Sequence, residues 1–319
     1  ILFISHKLDE IKLVADRVSI LRRGKLVATL DAASTTKEKM GELMVGKEVS
    51  FHVEKEPAQP KEDVLKVENL TIINNETKKK VVNDVSFSVR KGEIVVIAGI
   101  DGNGQSELIY GITGLMPINE GRVLINGEDY TKKSVRDRNM VLSHIPEDRH
   151  KYGLVLDYLL SYNLALKNFF KKGFVNKAGF LNFNKFNEYA DELINRFDIR
   201  SGQGRNTMAR SMSGGNQQKA IVAREIDQDS DLLIAVQPTR GLDVGAIEYI
   251  HKQIVTQRDK DKAVLMMSFE LDEVMDVADR IIVMFEGEIM GTLDPKKVTL
   301  EEVGLYMAGV KREEKRIWV

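Results

Sequence analysis

The sequence has no cysteine, no long apolar run and almost no net charge. Without cysteine the chain forms no disulfide and no thiolate metal site. A net charge of -1 gives no general basic field, so we expect no nucleic-acid partner. The longest apolar runs, such as IVVIAGI and RIIVMF, are far shorter than the roughly 20 residues of a membrane-spanning helix. The first residues, ILFISHKLDE, contain no signal peptide and read as a chain entered partway through.

What the sequence does contain is an internal repeat. The 319 residues, 43% of them apolar, are enough for about two domains. The opening stretch ILFISHKLDEIKLVADRV matches VLMMSFELDEVMDVADRI from Val264 at a constant offset of 263, and the match continues to Gly46 and Gly309. Solenoid repeats have periods of about 20 to 50 residues, so this longer period indicates a duplicated domain. We expect residues 1–46 to be the end of a first copy, either partly disordered or held on the second copy or a neighbouring chain.

The remaining boundaries follow from composition. The polar stretch KEVSFHVEKEPAQPKED predicts an extended linker over residues 47–63, with a surface loop as the alternative. The second copy then occupies residues 64–310. Residues 311–319 form a charged tail that we expect to be solvated, although Trp318 could dock on a neighbour.

The second copy reads as an α/β domain. VLKVENLTII and VNDVSFSV alternate with period two, which predicts antiparallel strands, whereas EIVVIAG and DLLIAV are continuous apolar runs typical of strands covered on both faces. A helix is expected from Ser106 to Gly114. From about residue 145 to 215, and mainly over 161–211, the sequence predicts a mostly helical insertion in which the Phe and Met residues form the core.

A glycine-rich loop, GIDGNGQS, links the strand EIVVIA to that helix. Such a loop can surround phosphate oxygens with backbone N–H groups and a helix N-terminus. It has the spacing G-x-x-x-x-G-K-[ST], but Gln105 occupies the lysine position. By itself the match leaves open a purely structural turn.

Three further stretches bear on this choice. SMSGGNQQKAIVARE places two glycines before a predicted helix that Ser213 could cap, DLLIAVQPTRGLDVGA joins an apolar strand to a turn, and SHKLDE recurs as SFELDE. Their order and spacing resemble the nucleotide-binding subunits of ABC transporters. The forms IPEDRHKYGLV, MSGGNQQK and QPTRGLDVGA are similar to the second half of double-domain importers of simple sugars and nucleosides.

The resemblance implies a P-loop ABC ATPase fold with a mixed core sheet, an antiparallel β subdomain and a helical subdomain. It also implies ATP and Mg²⁺ as cofactors. The implied nucleotide-contacting residues are Gly99, Asp101, Gly102, Asn103, Gly104, Gln105, Ser106, Glu147, Ser213, Gly214, Gly215, Asn216 and Asp243. The family pairs two domains head to tail, so Ser213 to Asn216 would complete a site whose phosphate loop belongs to a first domain.

Four positions depart from the family pattern. Gln105 replaces the phosphate-binding lysine, Val236 the Mg²⁺-binding aspartate, Gln237 the general-base glutamate, and Phe269 the switch histidine, which the first copy keeps as His6. Losing the lysine's charged hydrogen bond costs about 1.5–3 kcal/mol, and losing a general base about 10²–10⁴-fold in rate. In addition, no aromatic residue between positions 64 and 86 is placed to stack on adenine.

The sequence therefore predicts a degenerate half that binds ATP and Mg²⁺ weakly or not at all and supplies its signature to a partner domain. The expected partners are membrane permease subunits, bound through the region around Glu147 and the helical insertion, a first ABC domain absent from this chain and, indirectly, an extracytoplasmic receptor. The chain would lie peripherally on the cytoplasmic face of the membrane.

Other classes stay open. A soluble tandem ABC protein acting on ribosomes or DNA is one alternative, and a structural or regulatory module with no ATP role is another. No metal ligand set is expected, because His144, His150 and His251 lack a second ligand at metal spacing.

Overall fold

The structure is a computed structural model that describes residues 1–5, 8–22, 24–46 and 53–313. Six strands form its central sheet. In spatial order they are β12 (Glu288–Leu293), β11 (Arg280–Phe285), β5 (Ile94–Ala98), β10 (Ala263–Ser268), β9 (Leu232–Val236) and β8 (Leu142–Ile145). Neighbouring strands are parallel except β11 and β12. Every residue of β5, β9 and β10 is buried, as their continuous apolar sequences predict.

The two faces of β5 contact different cores. Ile94, Val96 and Ala98 pack against helices. These helices are α7 (Gly214–Ile226), α8 (Val244–Asp259), α9 (Leu271–Val277) and α10 (Leu300–Met307). Val95 and Ile97 face the opposite way, toward α3 (Gln105–Thr113) and a second sheet. Alternate residues of one strand therefore hold the two layers together.

The second sheet is entirely antiparallel, as the period-two patterns predict. Its order is β4 (Lys80–Arg90), β3 (Asp63–Ile73), β6 (Glu120–Ile125) and β7 (Glu128–Asp129). The helix α3 ends at Gly114, whose φ of 82° gives the left-handed C-cap that glycine adopts without strain.

The insertion contains fewer helical residues than the sequence predicts. Its main helices are α5 (Leu160–Ala165) and α6 (Phe183–Arg196), and a short α4 (Val135–Arg138) precedes them. Phe186, Tyr189, Ala190 and Leu193 form the buried face of α6 at the expected spacing. Residues 166–182 instead form turns, because side-chain amides such as Asn176 bond to nearby backbone N–H groups.

The N-terminal segment folds into α1 (Leu8–Val14), β1 (Arg17–Arg22), β2 (Lys25–Asp31) and α2 (Lys37–Val45). Leu8, Ile11, Ile20 and Met40 form one buried cluster with Val244 at the start of α8. Within the described part of this segment, α1, β1 and α2 thus contact the second copy at Val244.

The repeat is visible in the backbone. At an offset of 263 the starts of α1, β1, β2 and α2 coincide with the starts of α9, β11, β12 and α10. Both hairpins change register at the equivalent step, between Ile20 and Leu21 in one and between Val283 and Met284 in the other. The two copies thus share local geometry as well as sequence.

Residues 53–62, in the predicted linker, form no helix or strand and lie against the second copy. The Lys55 ammonium group donates to the carbonyl oxygens of Val277 (2.6 Å) and Ala278 (2.8 Å) and contacts Asp279 at 2.9 Å. A cation is favourable at this helix C-terminus because the last carbonyl groups carry partial negative charge. Residues 47–52 and Trp318 lie outside the described residues. Within the described part, no helix is both long and apolar enough to cross a membrane.

Candidate nucleotide site

The glycine-rich loop lies at the carboxyl end of β5 and leads into α3. The loop and the first residues of α3 contain seven of the residues implied to contact nucleotide, namely Gly99, Asp101, Gly102, Asn103, Gly104, Gln105 and Ser106. Gly102 and Gly104 have φ angles of 86° and 96°. A Cβ on Gly104 would lie 2.1 Å from the Val81 carbonyl oxygen, so the close approach to β4 requires glycine.

Gln105 folds back into this loop. Its side chain is buried, its Oε1 accepts from the Asn103 backbone N–H at 3.2 Å, and its Nε2 donates to the Ile100 carbonyl oxygen at 3.1 Å. A Cβ on Gly99 would lie 2.1 Å from the same Nε2. The loop's interior is therefore filled by its own side chain.

The end of β9 carries two of the departures from the family pattern. Val236 is buried, and with Ser106, His144 and Glu147 it lines a small cavity beside α3. Valine offers no oxygen ligand, and the described residues contain no cluster of three or more His, Asp or Glu side chains that could hold a metal ion. The residues present at this position therefore do not fit the Mg²⁺ that the family implies.

Gln237 follows Val236 in a conformation that is unusual for a residue other than glycine. Its φ is 46°, its backbone N–H donates to the Met267 carbonyl oxygen at 2.8 Å, and its buried Nε2 has no partner among the described residues. An amide there cannot accept a proton from water as a carboxylate does. Phe269, at the switch position after β10, packs against the buried core, and His6 lies outside the described residues.

A second group of predicted residues gathers at the start of α7. Gly214 and Gly215 form its first turn, and a Cβ on Gly215 would lie 3.9 Å from the Asp243 carboxylate. Ser213 occupies the N-cap position but makes no side-chain cap bond, contrary to the capping alternative. Its Oγ instead accepts from the Asn216 Nδ2 at 2.9 Å. This bond fixes the turn formed by residues 213–216, here called the signature turn.

Arg149 lies beside the first turn of α7, and Arg240 lies in the turn after β9. A Cβ on Gly214 would lie 3.7 Å from the Arg149 guanidinium group. The Arg240 Nη1 lies 2.5 Å from the Glu147 Oε1, so this ion pair joins the region around Glu147 to the turn after β9. Desolvation lowers the pKa of Arg149, while Asp148 favours its charged form.

Several polar contacts were not predictable from any motif. Glu225, at the end of α7, is fully buried and accepts from the His144 backbone N–H at 3.1 Å and the Arg224 Nε at 3.0 Å, with Lys167 as a third partner. Burial raises the pKa of Glu225, but the cations outweigh burial and hold it below its ordinary value. This cluster joins α7, β8 and the helical insertion.

The three histidines for which no metal ligand set is expected lie in different environments. Burial lowers the pKa of His144 to about 4, so its ring is neutral. The His251 Nε2 lies 2.7 Å from the Glu273 Oε1, which also accepts from the Thr239 hydroxyl. His150 contacts Gln217 at 3.0 Å.

Aromatic side chains of the insertion also differ from the prediction. Phe174 and Phe186 are core residues as expected, whereas Phe169 and Phe183 are exposed. The latter two line an open groove between α5 and α6, here called the aromatic groove. Its main lining residues are Tyr158, Tyr162, Phe169, Leu181 and Phe183. Helical spacing alone does not show which apolar residues are covered.

Comparison with known proteins identifies the family. Residues 82–240 match the family model described as ABC transporter. A nucleotide-free ATP-binding cassette from an ABC transporter covers 77% of this chain, and 96% of that cassette is covered, with a TM-score of 0.62 and 22% identity. This likeness confirms the predicted fold.

Two relatives are more similar in sequence. The nucleoside import ATP-binding protein NupA of Lactococcus lactis is 50% identical over 97% of this chain and 61% of its own length. The guanosine import ATP-binding protein NupO of Bacillus subtilis is 47% identical over 94% of this chain and 59% of its own length. The chain thus spans about three fifths of the relatives it matches. It belongs to the ABC transporter family and carries that family's ATP-binding domain.

Proposed function

We propose that the chain is part of the ATP-binding subunit of an importer for nucleosides, with simple sugars as the alternative cargo. The observation that carries the proposal is its 50% identity with the nucleoside import protein NupA over 97% of the chain. The forms QPTRGLDVGA and IPEDRH support the same class.

Within that subunit, the ABC domain of residues 64–310 holds a degenerate site that does not hydrolyse ATP. Gln105 lacks the cation that pairs with the β- and γ-phosphates, and Val236 lacks a carboxylate for Mg²⁺. Gln237 cannot act as a general base, and Phe269 cannot donate a hydrogen bond to a phosphate. All four changes remove parts of hydrolysis, whereas the glycines that shape the loop remain.

The signature turn of this domain would instead serve ATP bound by a partner domain. A helix N-terminus presents free N–H groups and partial positive charge to a phosphate. Ser213, Gly214, Gly215 and Asn216 would contact that phosphate, and Asp243 would lie beside it. His6 would act as the switch histidine of the same composite site.

The first ABC domain is proposed from the burial differences between the two copies. Leu2 is 91% exposed although its counterpart Leu265 is completely buried, and Leu21 is 70% exposed although Met284 is completely buried. In the second copy both residues belong to strands of the central sheet, and their side chains lie in the core shared with α3 and the second sheet. We infer that the core of a first ABC domain covers the corresponding face of residues 1–46.

The position of residues 1–46 supports a head-to-tail pair. The side chain of Val45 lies 3.1 Å from a Cβ placed on Gly245, two residues after Asp243. The family's paired domains meet at this loop. The first domain would therefore lie beside the loop that carries Asp243.

The permease would dock in the aromatic groove. The groove is apolar, partly exposed and lies within the helical insertion, so a short amphipathic helix from a cytoplasmic permease loop would bury its apolar face there. Through this contact the chain would lie peripherally on the cytoplasmic face of the membrane. The receptor that captures cargo outside the cell would act only through the permease.

Calorimetric titration with ATP, with and without Mg²⁺, tests the degenerate site. We expect absent or millimolar binding that Mg²⁺ does not improve and that Gln105→Lys strengthens by about tenfold or more, because a charged hydrogen bond is restored. Tight, Mg²⁺-dependent binding by the unmodified chain would contradict the assignment.

Transport is tested with a chimaera in which this chain replaces the matching region of NupA. Uptake of labelled guanosine is expected, together with its loss in Ser213→Arg, whose side chain would obstruct the signature turn. Gln237→Ala is expected to retain uptake within about twofold, because this position makes no contribution to hydrolysis. Absent uptake by a chimaera that is expressed normally would contradict the importer assignment, and a large loss in Gln237→Ala would refute the degenerate assignment.

A further inference from the structure

The Gln105 side chain lacks the charge of a lysine, and it also forms hydrogen bonds with the backbone of the glycine-rich loop. Its carboxamide lies inside the glycine-rich loop, with Oε1 at 3.2 Å from the Asn103 backbone nitrogen and Nε2 at 3.1 Å from the Ile100 carbonyl oxygen. Only 1% of the residue is exposed. Both polar ends of the side chain are thus paired with the loop's own backbone.

These contacts use groups on which phosphate binding depends. A phosphate oxygen in such a loop accepts from backbone N–H groups, and the Gln105 oxygen already accepts from one of them. We propose that Gln105 is an internal occupant of the loop, whose carboxamide takes the place of a phosphate oxygen and which a polyphosphate must displace before it can bind. The inference rests on the proposed function, in which this loop is a phosphate loop by descent.

The loop has supports that do not depend on Gln105. The Asn103 Oδ1 accepts from the Glu286 backbone N–H at 2.8 Å, and the Asn103 carbonyl oxygen accepts from the Gly287 N–H at 2.9 Å. Gly104 packs directly on the Val81 carbonyl group. Because the turn between β11 and β12 clamps the loop from outside, removal of the Gln105 side chain should leave an open loop rather than an unfolded one.

Two explanations of weak phosphate binding, occupation of the loop by Gln105 and absence of the lysine charge, predict different results for Gln105→Ala. If the loop binds polyphosphate weakly only because it lacks a lysine, Gln105→Ala will bind polyphosphate no better than the unmodified chain. If Gln105 occupies the loop, Gln105→Ala removes a competitor that makes two neutral hydrogen bonds. The affinity of Gln105→Ala for polyphosphate should then be about tenfold higher than that of the unmodified chain.

The experiment is calorimetric titration of the full chain with sodium tripolyphosphate, which probes the loop without adenine recognition. Gln105→Ala is compared with the unmodified chain and with Gln203→Ala, a matched change at an exposed glutamine. We expect tighter binding in Gln105→Ala alone. Equal or weaker binding by Gln105→Ala would overturn internal occupation, whereas tight Mg²⁺-dependent ATP binding by the unmodified chain would overturn the degenerate site instead.

Amide exchange provides a second readout that needs no ligand. In a chain labelled with ¹⁵N-asparagine, the Asn103 amide should exchange slowly without nucleotide and at least tenfold faster in Gln105→Ala. Gln105→Glu, whose carboxylate still accepts that hydrogen bond, should keep the protection and bind tripolyphosphate more weakly than the unmodified chain because of charge repulsion. Rapid exchange of Asn103 in the unmodified chain would refute the proposal even if Gln105→Ala failed to fold.

Discussion

Replacing Glu225 with glutamine should destabilise the ABC domain strongly. The carboxylate is completely buried, and it contacts the Arg224 Nε at 3.0 Å, the His144 N–H at 3.1 Å and the Lys167 ammonium group. Glu225→Gln keeps the size of the side chain but leaves two cations without a counter-charge. Removing one partner from a buried ion cluster typically costs about 3–5 kcal/mol. We expect a loss of that size in the free energy of unfolding.

Urea denaturation at pH 7.5, followed by circular dichroism, measures this loss. Glu192→Gln is the matched control: its side chain is 66% exposed and its nearest ion-pair distance is 3.8 Å, so it should change stability by less than about 0.5 kcal/mol. Combining Glu225→Gln with Lys167→Met should recover about 0.5–3 kcal/mol, because the second change removes one unpaired cation. A loss below about 1 kcal/mol in Glu225→Gln, or no recovery in the double variant, would refute the electrostatic explanation.

Three further predictions concern pH, backbone geometry and the contact of Lys55 with the end of α9. The unfolded chain protonates His144 near its ordinary pKa, about 6.5, whereas the pKa in the folded protein is about 4. Lowering the pH from 7.5 to 5 should therefore remove about 2 kcal/mol from the free energy of unfolding measured in urea titrations. His144→Phe should lack this contribution. Gly104→Ala should lower the free energy of unfolding by about 2–4 kcal/mol, because the new Cβ would clash with a backbone oxygen of β4. Gly102→Ala has open space around the new Cβ and should cost only about 1 kcal/mol. Similar losses in the two variants would argue against the clash. Lys55→Met leaves carbonyl groups at the end of α9 unpaired and should cost about 1–3 kcal/mol, against less than about 0.5 kcal/mol for exposed Lys61→Met in the same thermal melts.

Much of the fold was predictable because its signals are local. The five-residue apolar runs of β5 and β9 could be satisfied only by burial on both faces, and Gly102 and Gly104 of the glycine-rich loop adopt left-handed backbone conformations that favour glycine. Contacts between distant residues carried no such signal. Lys167 and Glu225 are 58 positions apart, and nothing in either local sequence identifies the other as its partner.

The candidate site shows the same limit at the level of side chains. The sequence identifies Gln105 as the residue at the lysine position, but not the direction in which its carboxamide points. That direction depends on which backbone groups of the loop are free, and a neutral amide can pair with both an N–H and a carbonyl group, whereas an ammonium group can only donate. The change from lysine to glutamine therefore creates a contact as well as removing one.

Comparison of the two repeated segments shows that the same local backbone conformation forms in an exposed and in a packed environment. Gly24 and Gly287 both have positive φ, at 74° and 79°, yet a Cβ on Gly24 would meet nothing within 4 Å, whereas one on Gly287 would lie 2.6 Å from the Val81 carbonyl oxygen. The turn thus forms in both settings because its sequence favours it, and the surrounding contacts come from whichever elements lie beside it. In the second copy those elements are β4 and the phosphate loop.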